Sequence, residues 1–285
     1  MEHALVDSLF EEKIISHTKS LCPDCEYPEH VRTLDAELFE KDGMVMIRKE
    51  CPEHGEFTDV VWSSKEMWDR AERYARKGRG IENPFITKYN PECPDDCGLC
   101  YQHQSHPALV NMVVTNRCDL ACWYCFFFAD KVGYVYEPDL DQVRKMARTV
   151  RGVRPIPGNA IQLTGGEPTL REDLEEIVKI IREEGIEHIQ LNTDGINLST
   201  KPDLARRMKD AGVKTVYLIF DGVTPKTNPK NYYEIPGAIE NCRDADLGIV
   251  FVPTVIKTIN DHEVGSILRY AQKNIDIVRG IIYLN

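Results

Sequence analysis

The chain has no run of about 18 apolar residues, which excludes a membrane-spanning helix. Positive charge is in short supply, with 35 Lys and Arg against 46 Asp and Glu and a formal net charge of -11. Phosphate neutralisation needs clustered basic side chains, so a general nucleic-acid binder is excluded, although a local basic pocket is not. The opening MEHALVDSLFEEKII has neither the basic start nor the apolar core of a secretory signal. The expected location is therefore cytoplasmic, at most peripheral to a membrane. No internal repeat or low-complexity tract occurs. The 285 residues, 42% hydrophobic and 28% charged, suffice for one large domain or for a small module joined to a larger one.

Cysteine, by contrast, is plentiful. Nine of the ten fall before residue 126, in three groups: Cys22/Cys25/Cys51, Cys93/Cys97/Cys100 and Cys118/Cys122/Cys125. Only Cys242 stands apart. In a chain of enzyme size without a secretory signal, such short spacings read as metal ligands rather than disulfides.

Residues 1–65 have the layout of a metal-binding ribbon: a CPDC knuckle, two extended stretches around an Asp42-Gly43 hairpin turn, and a second knuckle, CPEHG. Cys22, Cys25 and Cys51 need a fourth ligand for a tetrahedral site, and His54 is the nearest candidate. Zinc and rubredoxin-like iron share this geometry, so a mononuclear Zn or Fe is expected. A ribbon of this size has too little core to fold unaided, which makes the ion structural. Residues 66–107 begin with helical spacing, over 65–80, and continue as a loop rich in Pro, Asp, Asn and Cys. There Cys93, Cys97 and Cys100 are spaced C-x3-C-x2-C. They suit a second [4Fe–4S] cluster, the other reading being a zinc knuckle, with His103 and His106 as candidate extra ligands.

From residue 108 to 285 the pattern is α/β. Strands at 108–115, 160–164, 187–192, 214–220, 248–255 and 277–283 alternate with helices at 138–152, 171–185, 201–211, 236–245 and 261–273. Strict alternation implies a parallel sheet with right-handed crossovers. A closed eight-stranded barrel and an open doubly wound sheet both fit. The sixth strand has no element after it to cover it, which predicts a C-terminal truncation relative to the natural protein.

Cys118-Asp-Leu-Ala-Cys122-Trp-Tyr-Cys125 follows the first of these strands. Three thiolates can hold three irons of a [4Fe–4S] cubane and leave the fourth iron open. The open iron can bind the amino and carboxylate groups of S-adenosylmethionine (SAM). Its place at the C-terminal end of a first parallel strand is where barrel active sites sit. A structural zinc or an electron-transfer cluster is the other reading of the spacing. Leu163-Thr-Gly-Gly-Glu-Pro-Thr169 ends the second strand. Its two glycines let a ligand approach the backbone, and Glu167 can accept from an ammonium. A helix-entry turn would use the same residues.

Together these motifs resemble the radical SAM superfamily. The resemblance implies a partial (β/α)6 TIM-type barrel, preceded here by the ribbon and the cysteine-rich loop. It implies reductive SAM cleavage to a 5′-deoxyadenosyl radical, and a reductant protein such as ferredoxin or flavodoxin. It assigns Gly165, Gly166 and Glu167 to the methionyl amine, and Asn192 or Thr193 and Asp221 to the ribose. The Val252–Thr254 segment then flanks the adenine. The order CPDC, CPEHGEF, CPDDCGLC, TNRCDLACWYC resembles the archaeal tetraether lipid synthases. That finer resemblance implies carbon–carbon bond formation between lipid alkyl chains, a hydrophobic or lipid substrate, and an apolar wall of Trp123, Tyr124 and Phe126–Phe128. Members of that group are longer, and their mononuclear site is all-cysteine. A radical SAM peptide or cofactor maturase is the competing enzyme reading, for which a polar groove would speak. An iron–sulfur or zinc scaffold without a substrate is the competing non-enzyme reading.

Overall fold

The computed structural model describes residues 13–25, 32–76, 78–91, 96, 98–125, 127, 129 and 132–284. It divides into two compact units, Met1–Ser105 and His106–Asn285.

The first unit carries a four-stranded antiparallel meander: β1 (Lys13–Leu21), β2 (Thr33–Lys41), β3 (Met44–Cys51) and β4 (Gly55–Trp62), paired in that order. The β2–β3 hairpin closes at Asp42 and Gly43, both at positive φ, as a two-residue Asp-Gly turn requires. Leu34, Cys22 and Cys51 form a buried cluster against Phe57 and Cys25, while β1 and β4 stay mostly exposed. Ala36, Phe39 and Val45 are buried as well, and a core of this size is thin for four strands without cross-links. After β4, α1 (Lys65–Glu72) is capped by Ser64, whose hydroxyl accepts from the Met67 N–H at 3.2 Å. The expected helix over 65–80 stops at Glu72. None of its residues is buried, and the Arg- and Gly-rich segment after it offers no apolar face to extend it.

The second unit is built on a six-stranded parallel sheet: β5 (Val110–Thr115), β6 (Ala160–Gly165), β7 (His188–Thr193), β8 (Val213–Ile219), β9 (Gly248–Val252) and β10 (Val278–Ile281). Its strands pair in chain order, with β5 and β10 as free edges. The crossovers carry α2 (Leu140–Gly152), α3 (Leu174–Glu183), α4 (Ile196–Thr200) with α5 (Leu204–Ala211), α6 (Ile235–Asp244) and α7 (Val264–Lys273). α2 touches α3, α3 touches α5, and α5 touches α6, so these helices line one face. A doubly wound sheet would reverse strand order and split its helices between two faces. The arrangement is a barrel wall that does not close. The short α4 was not foreseen.

Alternation along the strands divides the two faces. Ile161 and Leu163 of β6, Ile189 and Leu191 of β7, Val216 and Leu218 of β8, and Ile249 and Phe251 of β9 join the helices in one core. The alternate positions are mostly polar in β6 and β7 (Gln162 and Thr164, Gln190 and Asn192), mixed in β8 (Thr215, Tyr217, Ile219) and apolar in β9 (Val250, Val252). The last strand has only four residues, and Ile282, Tyr283 and Leu284 beyond it are exposed.

Candidate active site

The first unit brings its four expected ligands together. The Sγ atoms of Cys22, Cys25 and Cys51 lie 3.4, 3.7 and 3.5 Å from Nδ1 of His54. All four donor atoms fall within 4.8 Å of one another. Three sulfurs and one imidazole at that separation suit a single tetrahedral ion. Backbone N–H groups of Glu53 and His54, aimed at the Cys51 thiol, hold it down to about 6. Burial and the neighbouring Cys22 and Cys51 push Cys25 up to about 11, a repulsion that a divalent cation relieves.

The second cysteine group is different. Cys93 and Cys97 lie outside the described residues, and Phe126 and Phe128 of the expected aromatic wall do too. Cys100 is buried, its strand bridge running to Ile86. His103 donates its backbone N–H to the Cys100 carbonyl at 3.1 Å. Cys242 is buried in the barrel core and lines neither site.

Cys118, Cys122 and Cys125 sit in the loop after β5 and face one cavity of about 420 Å³. Gly165, Gly166, Glu167, Asn192, Asp194, Lys230 and Thr254 also line it. Among the described residues that line it there is no fourth cysteine and no histidine. Three thiols spread around a cavity, with no fourth soft ligand, fit a cubane with one open iron. Burial, with the Glu167, Asp194 and Asp119 carboxylates close by, pushes Cys118 up to about 12. Bound iron would offset that negative field.

The glycine pair does something the sequence did not announce. Gly165 has φ +136°, and a Cβ there would lie 1.9 Å from the Thr115 carbonyl oxygen. A Cβ on Gly166 would lie 2.0 Å from that of Arg117. The Gly166 N–H donates to Thr115 O at 2.8 Å, and the Glu167 N–H to Arg117 O at 2.7 Å. The backbone that approaches these glycines is the chain's own, at the root of the Cys118 loop.

Glu167 is fully buried and saturated. Its Oε1 accepts from Thr169 N (2.9 Å), Thr169 Oγ1 (2.6 Å) and Thr193 Oγ1 (2.8 Å), and its Oε2 from Asp194 N (2.8 Å). It clamps the end of β6 to the end of β7. Thr193 thereby spends its hydroxyl proton on Glu167, whereas Asn192 lines the cavity and donates to Thr164 Oγ1 at 3.3 Å. Asp221 is also occupied. Its Oδ2 accepts from Tyr124 OH and pairs with Lys230 Nζ, each at 2.6 Å, and its Oδ1 accepts from Thr254 N at 2.8 Å. Lys230 Nζ also stands 4.7 Å over the Tyr124 ring. Burial and the bond to Asp221 raise the Tyr124 phenol well above its ordinary value.

Sequence reasoning missed Lys230 and Asp194. Lys230 lies in the loop after β8, where nothing periodic marks it. Asp194 stands in Thr193-Asp194-Gly195, a polar strand end followed by a glycine at positive φ. That signal was available. Burial, then the nearby Glu167, pushes its carboxyl up to about 9.

Comparison with known proteins agrees with this geometry. The radical SAM superfamily model matches residues 112–271, and the model of the HMPTM N-terminal zinc ribbon domain matches residues 14–63. A 7,8-dihydro-6-hydroxymethylpterin dimethyltransferase of Methanocaldococcus jannaschii is 43% identical over 93% of this chain and 52% of its own length. A GTP 3′,8-cyclase of Marinobacter nauticus is 29% identical over 59% of this chain and 52% of its own. The chain thus spans about half the length of these curated relatives. The solved structure of HydG, a maturase of the [FeFe]-hydrogenase, superposes with a TM-score of 0.51 at 14% identity, over 62% of this chain and 43% of that one. No helix among the described residues is long and apolar enough to cross a membrane.

Proposed function

The chain belongs to the radical SAM superfamily, and on that premise we propose that it acts on a pterin-like heterocycle in a methyl-transfer reaction. A [4Fe–4S] cluster at Cys118, Cys122 and Cys125 would supply the electron for reductive cleavage of SAM, drawn from a reductant protein such as ferredoxin or flavodoxin. The cavity with Gly165, Gly166, Asn192 and Thr254 on its wall would seat SAM.

The observation that carries the substrate class is the 43% identity to the pterin dimethyltransferase, and polar strand-end residues, Thr164 and Asn192 among them, stand on the cavity wall. Gln162 donates to Gln190 at 3.0 Å, Gln190 contacts the His188 ring at 2.9 Å, and Asn192 donates to Thr164. Of these side chains, Asn192 and Thr164 line the cavity, where a polar heterocycle has groups to pair with. The lipid coupling expected from the cysteine order therefore has less support than the pterin named for the 43% identical relative. A second cluster at Cys93, Cys97 and Cys100 remains part of the proposal.

The test is 5′-deoxyadenosine formation by the reconstituted protein with and without 7,8-dihydro-6-hydroxymethylpterin. The pterin should stimulate it and gain methyl mass. Stimulation by long-chain lipids and not by the pterin would overturn the reading.

A further inference from the structure

A second cavity, of about 390 Å³, adjoins that of Cys118, Cys122 and Cys125. Leu120, Cys122, Tyr124 and Lys230 line both and form the wall between them. Gly165, Gly166, Val252 and Thr254, which the fold offers to SAM, stand on the cluster side only. The second cavity is therefore left for a different ligand, held beside the three thiols. Its walls indicate which kind. Trp123, 71% exposed, stands with Ile256 and Ile259 on a mostly apolar lining. An indole left in water beside two isoleucines is a surface on which a flat ring packs. The charged side chains on the wall are Asp221, Lys226 and Lys230. Asp221 and Lys230 pair with each other at 2.6 Å and cancel. Lys226 is exposed and has no carboxylate partner among the described residues, which is unusual in a chain of net charge -11. The loop that presents it is anchored by the buried Glu263, whose Oε2 accepts from Val223 N at 2.6 Å and from Thr227 Oγ1 at 2.8 Å. An uncancelled ammonium on an anchored loop, at the edge of an apolar slot, is a seat for an anion attached to a ring.

We propose that this second cavity seats the body of the substrate, a flat heterocycle that carries a phosphate ester, with the ring against Trp123 and the phosphate at Lys226. The choice of ring rests on the pterin reading; the seat itself does not. A phosphate is doubly charged and costly to bury, so an exposed lysine suits it better than a closed pocket would. The reacting edge of the ring faces the shared wall, with Asn192 and Thr164 in the cavity beyond it.

Anaerobic equilibrium binding to the cluster-reconstituted protein tests this. The probes are SAM, 7,8-dihydro-6-hydroxymethylpterin, its diphosphate ester and guanosine 5′-monophosphate. The diphosphate ester should bind about tenfold more tightly than the free alcohol, and added salt should erase much of that advantage. Lys226→Ala should remove the advantage and Lys226→Arg should keep it, with SAM and the free pterin held within about twofold in both. Trp123→Ala should weaken both pterins. Because Trp123 lies between two cluster ligands, Ile259→Asp is the companion variant, remote from the cysteines in sequence, and it should weaken the diphosphate ester most. An ester advantage that survives Lys226→Ala would overturn the proposal. So would a loss of SAM affinity equal to that of the ester, because the cavity would then belong to the cosubstrate. If neither pterin bound and guanosine 5′-monophosphate did, with the same dependence on Lys226, the pterin reading would fall and this seat would stand.

Discussion

The two units use the same side chain in opposite ways. In the ribbon, three thiols and His54 converge on one point, in a unit whose described buried apolar side chains, cysteines aside, are Leu34, Ala36, Phe39 and Val45. In the barrel, three thiols line a cavity whose fold is already secured by a continuous core from Met112 to Val278. Convergent ligands with little core indicate an ion that stabilises the fold. Divergent ligands on a well-built frame indicate a group that the fold displays to a substrate. The difference teaches that cysteine count says less than what surrounds each cysteine.

The comparison breaks or holds most sharply on the thiols themselves. Replacing Cys118, Cys122 and Cys125 by Ala should abolish reductive SAM cleavage, while metal analysis still finds one ion per chain in the ribbon. Undiminished 5′-deoxyadenosine from the triple variant would place the chemistry elsewhere. The opposite experiment is next in size. Cys51→Ala, or stripping the ribbon ion with a chelator, should unfold residues 13–62 and leave the barrel intact. Structural zinc contributes about 10–16 kcal/mol in isolated fingers, more than a core of this size can replace. Hydrogen exchange should show protection lost in β1–β4 only. Retained protection there would make the ion dispensable.

The frame itself can be probed at two glycines. Gly165→Ala forces a methyl into the Thr115 carbonyl at a backbone angle that L-residues avoid. A cost of about 3 kcal/mol or more is expected, with loss of cluster incorporation. Gly152, the last residue of α2, meets nothing within 4 Å and has no positive φ. Gly152→Ala should be neutral or stabilise by up to about 1 kcal/mol. Equal melting temperatures for the two variants would mean that the backbone approach at Gly165 is not what holds the Cys118 loop.

Both metal motifs were legible because spacing alone specifies them. The six-strand alternation was legible because buried parallel strands are short apolar runs, as in Ala160–Gly165 and Gly248–Val252. Strand order was not, since one pattern serves closed, open and doubly wound sheets, and only the contacts between successive helices decide. At the site, the sequence marked which residues stand at strand ends but not which way their hydrogen bonds run. Glu167, Thr193 and Asp221 were nominated for SAM, and each also bonds to its neighbours, Glu167 while lining the cavity. Asn192 and Thr254 keep their place on the cavity wall. Whether a polar strand-end residue meets a ligand or another loop is set by tertiary pairing, which has no local signature. Substrate class was least legible. The polar positions come together only when Gln162 of one strand aligns with Gln190 of the next, beside Asn192.

The smallest expected effect concerns acid, and it separates the units by cause. Glu184, at the end of α3, accepts from Arg148 of α2 at 2.9 Å and from Arg144 at 3.0 Å. These two guanidiniums hold its carboxyl below the ordinary glutamate value of 4.5. A carboxyl depressed in the folded state contributes stability that is present above its unfolded value and is lost as pH falls through the folded value. The α2–α3 contact should therefore weaken below about pH 4.5, in the direction that Glu184 protonation demands. The ribbon should respond for a different reason, since protons compete with the ion for His54 and the thiolates. In an acid titration followed by hydrogen exchange, adding excess zinc should shift the ribbon transition and leave the α2–α3 transition in place. Arg144→Ala with Arg148→Ala should do the reverse, flattening the acid dependence of α2 and α3 only. If zinc moved both transitions, or the arginine pair moved neither, the acid response would not divide along the two units.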